Sequence, residues 1–271
     1  MHTYVINLAR SPERRAHITA ELGKTRVRYE MINAVDGRDL DLTDTRVVDP
    51  VFAGESEAHP GAIGCALSHW EVYRKILDDD VEIACVLEDD VILPADFDAL
   101  TDAVVPHMTG AEVVLLNFQS GEPCRVTRSG AVQLPSSRLL VRVADERQVA
   151  SAGGYLITRE ACARMVKNVK PVRTVADDWD SFCREGSIDR LRCVVPMAVI
   201  QSPDFRTTMS YCRPGSRYEK LREIVAGSRI PILYHALAER RRRHLRRYAV
   251  GRAQFVEELP EGAPGADGMA R

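Results

Sequence analysis

The residues with the clearest chemical potential are three consecutive acids, Glu88, Asp89 and Asp90, in the stretch IACVLEDDVILP (83–94). The apolar runs on both sides predict a buried strand, and a parallel sheet tolerates charge mainly where a strand leaves it. Glu88 and Asp90 would point the same way in an extended segment, about 7 Å apart. Such oxygens suit Mg²⁺ or Mn²⁺ shared with a phosphate, and a solvated acidic loop is the alternative.

The elements that must position these acids alternate between strands and helices, which predicts an α/β fold over a mostly parallel sheet. In such sheets ligands lie outside the carboxyl ends of the strands. Segments 41–61 and 119–137 lack a periodic apolar pattern and are predicted to be loops. Strands are predicted at 3–8, 27–35, 83–94, 111–118, 153–158 and 191–201, and helices at 11–23, 62–77, 96–108 and 159–168.

Composition sets broad limits on the class of protein. The chain has 271 residues, 45% of them hydrophobic, and a formal net charge of -2, which argues against a dedicated nucleic-acid binder. Its seven cysteines form no CxxC pair, which favours free thiols in a reducing cytoplasm. We find no secretory signal and no apolar run long enough to span a bilayer, so a cytoplasmic location is expected.

The chain changes character near residue 216. We predict a main domain over 1–215, a basic helical extension over 216–258 with six arginines between 240 and 247, and a disordered tail over 259–271.

Taken together, the motifs resemble glycosyltransferase family 25, which contains lipopolysaccharide sugar transferases and collagen galactosyltransferases. The resemblance covers about residues 1–205. It is carried by VINLARSPERR (5–15), NAVDGRDL (33–40), GAIGCALSHWEVYRKIL (61–77), CVLEDDVIL (85–93), SAGGYLITREAC (151–162) and VADDWDSF (175–182).

The resemblance implies a GT-A type fold, a nucleotide-sugar donor, usually a divalent metal, and inverting transfer, commonly of galactose from UDP-galactose. On this interpretation Asp90 is the direct metal ligand, Glu88 lies toward the ribose or a metal-bound water, and Asp89 supports them. The expected cofactor is Mn²⁺ or Mg²⁺, which acts as a Lewis acid on the leaving diphosphate.

Inversion also needs a base that removes a proton from the acceptor hydroxyl. Asp177, Asp178 and Asp180 are the candidates, with Asp177 favoured by its family position, and the Trp179 ring is expected to stack on a sugar. Acids at a helix N-terminus, stabilised by the helix dipole, are the alternative.

The remaining donor contacts are expected from short motifs at strand ends and on one helix. An amide suits uracil or ribose, guanidinium groups suit phosphate, and glycines allow close approach of the backbone. For the glycines a plain turn or a crowded strand start is the alternative, and His69 is expected only to position other groups. The residues expected to bind the nucleotide sugar are Asn7, Leu8, Arg10, Arg14, Asp36, Gly37, Ser68, His69, Glu88, Asp89, Gly153, Gly154 and Trp179.

Two further interpretations concern partners. The basic segment 229–250 is expected to contact an anionic membrane at the inner face of the cytoplasmic membrane, where a lipid-linked saccharide acceptor would lie. A solvated helix is the alternative. The competing functions are a metal-dependent phosphohydrolase and a non-catalytic nucleotide-sugar-binding or membrane scaffold protein.

Overall fold

Strands and helices alternate along the chain in a computed structural model that describes residues 1–118, 123–205 and 253–256. The helices are α1 (Pro12–Leu22), α2 (Pro60–Asp78), α3 (Phe97–Val104), α4 (Arg159–Asn168) and α5 (Trp179–Arg184). The strands are β1 (His2–Asn7), β2 (Arg28–Asn33), β3 (Ile83–Glu88), β4 (Val91–Ile92), β5 (Glu112–Leu115), β6 (Cys124–Gln133), β7 (Leu139–Val143), β8 (Gly154–Thr158), β9 (Arg190–Val195), β10 (Ile200–Gln201) and β11 (Ala253–Val256).

Nine of the strands form one sheet, in the order β11-β6-β7-β9-β5-β8-β3-β1-β2. β1 pairs in parallel with both β2 and β3, whereas β8 runs antiparallel between β3 and β5. β5 and β9 are parallel, β7 is antiparallel to its neighbours β9 and β6, and β11 is parallel to β6. Only β7 and β8 therefore oppose the common direction, and the expected mostly parallel sheet flanked by helices is confirmed.

Alternating side chains of the central strands bury both faces of the sheet. On one face Tyr4 and Ile6 of β1 join a core that includes residues of α2 and α4. On the other face Val5 joins a core that includes residues of α1 and α3. Because successive strand residues point to opposite faces, a nearly continuous apolar strand is what a sheet covered on both sides requires.

Two sequence predictions differ from the structure in this region. The predicted strand 83–94 is interrupted, since β3 ends at Glu88 and β4 begins at Val91, so Asp89 and Asp90 lie in a turn. The predicted loop 119–137 contains the ten-residue strand β6, whose Cys124 and Val126 are fully buried. Pairing with β7 and β11 stabilises β6 despite its glycine- and serine-containing sequence.

The predicted basic extension differs from the structure at its end. Residues 253–256 form the strand β11 instead of a helix, because their backbone pairs with β6. The rest of 216–258, the membrane segment 229–250 and the tail 259–271 lie outside the described residues. Among the residues that the structure describes, no helix is long and apolar enough to cross a membrane.

Candidate active site

A cleft of about 430 Å³ lies where β1 and β3 end. These strands are parallel neighbours, so their carboxyl ends meet at one edge of the sheet, which is the usual position of a ligand site in α/β proteins. Of the residues expected from the sequence, the cleft is lined by Leu8, Arg10, Arg14, Asp36, Gly37, Glu88, Asp89 and Asp90. Residues from two motifs that the sequence places at strand ends, 8–14 and 88–90, therefore line the same cleft.

Arg14 joins the two aspartates of the acidic motif. Its Nη1 donates to Asp89 Oδ1 at 2.7 Å and its Nη2 donates to Asp90 Oδ2 at 2.5 Å. The first turn of α1 carries Arg14 to this edge because α1 begins directly after the end of β1. One guanidinium group therefore neutralises part of a cluster of three carboxylates.

Asn7 donates a hydrogen bond to the acidic cluster and does not line the cleft. Its Nδ2 donates to Asp89 Oδ2 at 2.7 Å, and the residue is only 2% exposed. The expected contact of this amide with uracil or ribose is wrong in this structure, because the donor group is used internally and is shielded from the cleft. Asn7 instead fixes the orientation of Asp89.

Burial and repulsion between neighbouring carboxylates shift the pKa values of Asp89 and Asp90. Burial is the main cause that raises the pKa of Asp89, with Arg14 and Asn7 acting in the opposite direction. Burial, followed by repulsion from Glu88, raises the pKa of Asp90 to about 7 despite the attraction of Arg14. Asp90 Oδ1 is buried and has no hydrogen-bond partner. A positive charge beside Asp90 Oδ1 would offset the cost of burying the carboxylate and would give the unpartnered oxygen an interaction.

Glu88 and Asp90 carry the kind of oxygen ligand that a hard divalent cation prefers. Glu88 lines the cleft with a side chain that is 24% exposed, and the unpartnered Asp90 Oδ1 offers a second oxygen. Both oxygens of Asp89 are already used by Asn7 and Arg14. The residues that could hold Mg²⁺ or Mn²⁺ are therefore Glu88 and Asp90.

The opposite wall carries a cluster of one acid and two arginines. Arg10 Nε lies 2.6 Å from Asp36 Oδ2, and Arg38 Nη2 lies 2.7 Å from the same oxygen. Hydrogen bonds from Arg38 and then from Arg10 hold the pKa of Asp36 well below its usual range. The Asp36 side chain also accepts a hydrogen bond from Arg38 N at the start of the 3-10 helix Gly37–Asp39. Two cationic groups thus face the cleft, as a phosphate-binding wall requires.

Gly37 allows a close approach of two backbones. A Cβ atom at Gly37 would lie 1.8 Å from the Pro60 carbonyl oxygen, and one at Gly64 would lie 2.7 Å from the Val35 carbonyl oxygen. The N-terminal turn of α2 therefore packs directly on the loop after β2. The glycine is required by this helix contact, although it also lines the cleft.

Ser68 and His69 lie on α2 and are almost fully buried. Ser68 Oγ accepts from Val35 N at 2.8 Å and donates to Gly64 O at 2.6 Å, so it fixes the loop after β2. His69 Nδ1 lies 2.8 Å from the Tyr155 hydroxyl, and its Nε2 lies 3.6 Å from Glu88 Oε1. Neither residue lines the cleft, which agrees with a positioning role.

The second acidic motif separates into different environments. Asp177 Oδ2 accepts from Ser151 N at 2.8 Å, and burial followed by repulsion from Glu88 raises the pKa of Asp177 against the lowering effect of the Ser151 bond. Asp178 caps α5 and accepts from Ser181 N. Asp180 pairs with Arg184 at 2.9 Å. All three candidates are half-buried and none lines the cleft, but the Glu88 carboxylate contributes to the pKa shift of Asp177.

The expected stacking of Trp179 on a sugar is wrong. The side chain is fully buried, its Nε1 donates to Ser151 O at 3.2 Å, and its ring meets Tyr155 and Phe182 edge to face. An aromatic residue at the start of a helix beside three acids looks exposed in the sequence, but α5 turns it into the core.

The glycine pair at the start of β8, Gly153 and Gly154, makes close contacts within the sheet. A Cβ atom at Gly154 would lie 3.0 Å from Val199 Cγ1 and 3.3 Å from Leu87 Cδ2. Gly153 O accepts from Glu88 N at 3.0 Å. Neither glycine lines the cleft, so the alternative of a crowded strand start describes Gly154.

Several cleft residues were not expected from the sequence. They come from β1, from the turn after β2, from the loop and first turns before the Ser68 motif, and from β10. They are Ile6, Ala34, Val35, Arg38, His59, Pro60, Gly61, Cys65 and Gln201. All of them except His59, Pro60 and Gln201 stood within the quoted motifs, and helical spacing places Cys65 one turn before His69. The others depend on tertiary packing alone.

The class of protein follows from comparison with known sequences. The sequence model of glycosyltransferase family 25, described as an LPS biosynthesis protein, matches residues 1–179. The chain belongs to this family.

Individual relatives match over a shorter segment. The human procollagen galactosyltransferase 2 is 30% identical over 95 residues, which cover 32% of this chain and 15% of that protein. The mouse inactive glycosyltransferase 25 family member 3 is also 30% identical over 95 residues, covering 32% of this chain and 16% of that protein. The chain thus matches about one sixth of the length of these relatives.

A solved structure of a glycosyltransferase involved in the glycosylation of the major capsid of PBCV-1 has a TM-score of 0.34 and 8% identity. The alignment covers 68% of this chain and 74% of that one. This likeness is too weak to support an argument about function.

Proposed function

We propose that the chain is a glycosyltransferase that moves a sugar from a nucleoside-diphosphate donor to a saccharide acceptor. The observation that carries this proposal is the cleft itself, which places Arg10, Arg14 and Arg38 around the Glu88–Asp90 carboxylates at the carboxyl ends of β1 and β3. Cations and carboxylates that line one cleft are suited to a diphosphate and its metal. Membership of family 25 supports the same chemistry.

Each wall has a distinct role in this proposal. Arg10 and Arg38 exchange part of their contact with Asp36 for phosphate oxygens, while Arg14 balances the charge of Asp89 and Asp90. Glu88 and Asp90 hold Mn²⁺ or Mg²⁺. When bound, the cation neutralises negative charge that develops on the leaving diphosphate.

Asp177 is the proposed base. Its raised pKa brings the carboxylate closer to the range in which it accepts a proton efficiently at neutral pH. Asp178 accepts a hydrogen bond from Thr174 and caps the N-terminus of α5, and Asp180 forms an ion pair with Arg184 of the same helix.

The finer assignment follows the family resemblance. We propose galactose from UDP-galactose as the donor, inverting transfer on a GT-A type fold, and a cell-surface glycan such as lipopolysaccharide as the acceptor. The cytoplasmic location and the membrane contact through 229–250 belong to the same proposal. Changing the six arginines at 240–247 to glutamate should abolish binding to anionic liposomes, and unchanged binding would refute the contact.

A donor screen tests the main proposal. UDP- and GDP-sugars are offered with Mn²⁺, Mg²⁺ or EDTA, and binding is followed by thermal shift and turnover by release of the nucleoside diphosphate. We expect a UDP-sugar to raise the melting temperature only with a divalent cation. The proposal fails if no nucleotide sugar binds under any metal condition, and release of inorganic phosphate instead would indicate a phosphohydrolase.

A non-catalytic nucleotide-sugar-binding protein is the second candidate. It is favoured by one observation, because this chain is as similar to a relative named inactive as to one named a galactosyltransferase. Donor binding without turnover, in the presence of a panel of saccharide acceptors, would support it.

A further inference from the structure

A second group of potential metal ligands lies beside the acidic motif. Cys65 and His69 are four residues apart on α2 and share one face of that helix, which is turned toward Glu88 at the end of β3. One ligand atom from each of the three residues lies within 4.8 Å of the other two. Asp90 is not part of this group.

The distances agree with a tetrahedral ion. Cys65 Sγ lies 3.9 Å from Glu88 Oε1, and His69 Nε2 lies 3.6 Å from the same oxygen. Bonds of about 2.0 Å to nitrogen or oxygen and about 2.3 Å to sulfur place tetrahedral ligand atoms roughly 3.3 to 3.5 Å apart. Contraction by a few tenths of an ångström would therefore bring Glu88 Oε1 to these separations from Cys65 Sγ and His69 Nε2.

The buried histidine points independently to a ligand. His69 is 1% exposed, yet its Nε2 has no hydrogen-bond partner. The other ring nitrogen, Nδ1, lies 2.8 Å from the Tyr155 hydroxyl, which in turn donates to the Tyr73 hydroxyl at 3.0 Å. Tyr155 therefore accepts from Nδ1–H, which leaves a lone pair on Nε2 directed toward Glu88.

This arrangement matches the outer shell of known metal sites. A metal-binding histidine usually donates its second ring N–H to a fixed acceptor, which sets the tautomer and the ring orientation. The hydroxyl of Tyr155 supplies that acceptor here. A buried ring nitrogen without a partner is otherwise destabilising, and a bound cation would remove that cost.

We propose that Cys65, His69 and Glu88 form a site for a thiophilic divalent cation such as Zn²⁺. The ligand set of thiolate, imidazole and carboxylate favours zinc or cobalt over Mg²⁺, which prefers oxygen alone. Binding breaks the S–H bond of Cys65, forms a metal–sulfur bond and releases the proton to solvent. Cys65 and Glu88 line the cleft, so an ion would reach these two ligands from it.

The site is separate from the proposed transfer reaction, although Glu88 belongs to both. Its occupation is a binding property and is measured without donor or acceptor. If the chain transfers sugar, Zn²⁺ should inhibit the reaction. An ion held by Cys65 and His69 would also bind Glu88, which would then be unavailable to hold Mn²⁺ or Mg²⁺ together with Asp90.

Cobalt titration of the full chain tests the proposal. Co²⁺ is added to metal-free protein, and we expect sulfur-to-cobalt charge-transfer absorption in the near ultraviolet that Zn²⁺ abolishes. Cys65→Ser should lose this absorption, and His69→Gln should weaken cobalt binding by at least roughly tenfold. Cys183→Ser is the matched control, because Cys183 is a half-buried thiol on α5 outside this cluster.

Two results would overturn the site. They are the absence of a thiolate band in the wild-type chain and a band that survives in a Cys65→Ser protein. Asp90→Ala separates this site from the hard-cation site, because it should keep the cobalt band. Loss of the band in Asp90→Ala, with folding verified by circular dichroism, would assign the ion to the acidic motif and refute the proposal.

Discussion

Arg14 Nη2 lies 2.5 Å from Asp90 Oδ2, so the carboxylate expected to bind a metal is already held by a cation of the chain itself. A divalent cation must therefore share Asp90 with Arg14 or displace it. This relationship couples the metal site to α1, which carries Arg14.

Arg14→Met should separate metal binding from donor binding. Removing the competing guanidinium should tighten Mn²⁺ binding in the absence of donor by roughly tenfold, equivalent to about 1.4 kcal/mol. The same change should weaken UDP-sugar binding, because the positive charge that balances Asp89 and Asp90 beside the diphosphate is lost. Isothermal titration measures both, with Arg15→Met on the exposed side of α1 as the control. Weaker Mn²⁺ binding in Arg14→Met would contradict this account.

Asp177→Asn should abolish transfer and spare donor binding. The amide keeps an oxygen for the Ser151 N–H but cannot accept the acceptor proton, so the turnover number should fall by about 10²- to 10⁴-fold. Because the pKa of Asp177 is raised, the acid limb of the wild-type rate profile should lie above the range of an ordinary carboxyl group. Asp180→Asn, which only breaks the pair with Arg184, should remain active. Equal losses in both variants would refute the assignment.

The stability of the metal-free protein should fall as the pH rises toward neutrality. Asp90 has a folded-state pKa of about 7 against about 3.9 when unfolded, so the folded chain holds this proton more tightly. Its contribution is fully present below about pH 4 and is lost as the pH rises through about 7, by up to about 1.4 kcal/mol per pH unit. Urea denaturation of the wild type and Asp90→Asn measures the difference, and equal pH slopes would contradict it.

The buried pair of Glu112 and Arg192 should be essential for stability. Glu112 has no exposed surface and accepts from Arg192 Nε, and Arg192 Nη2 also donates to His107 O at 2.6 Å. Arg192→Met leaves the buried Glu112 carboxylate with the more distant Arg190, at 3.6 Å, and should reduce the free energy of unfolding by up to about 3–5 kcal/mol. Arg184→Met, which removes an exposed pair, should cost less than about 1 kcal/mol. Chemical denaturation measures both variants, and similar losses of unfolding free energy in Arg192→Met and Arg184→Met would contradict this prediction.

Gly37→Ala should damage both the fold and the cleft. The new Cβ would meet the Pro60 carbonyl at 1.8 Å, and that backbone cannot rotate away, so the loss should exceed about 3 kcal/mol. Gly54→Ala is the matched control, because nothing lies within 4 Å of the corresponding Cβ. If Gly37→Ala melts at the same temperature as Gly54→Ala, α2 moves away from the new Cβ without loss of stability, and the prediction is wrong.

Local patterns predicted the main elements well. The apolar run of 3–8, the helix signals after Ser11 and the spacing within 62–77 correspond to β1, α1 and α2. The strand β6 was missed because its stability comes from pairing with β7 and β11, which lie at distant positions in the sequence.

The sequence by itself determined which chemical groups meet at the edge of the sheet. A strand buried on both faces cannot carry Glu88, Asp89 and Asp90 except at its end, and parallel strands end together. It could not determine which of these groups pair with each other. Arg14 reaches Asp89 across 75 residues of sequence, Asn7 turns away from the cleft, and Trp179 turns into the core. Only packing in three dimensions decides such contacts, because they depend on how α1, α2 and α5 lie against the sheet.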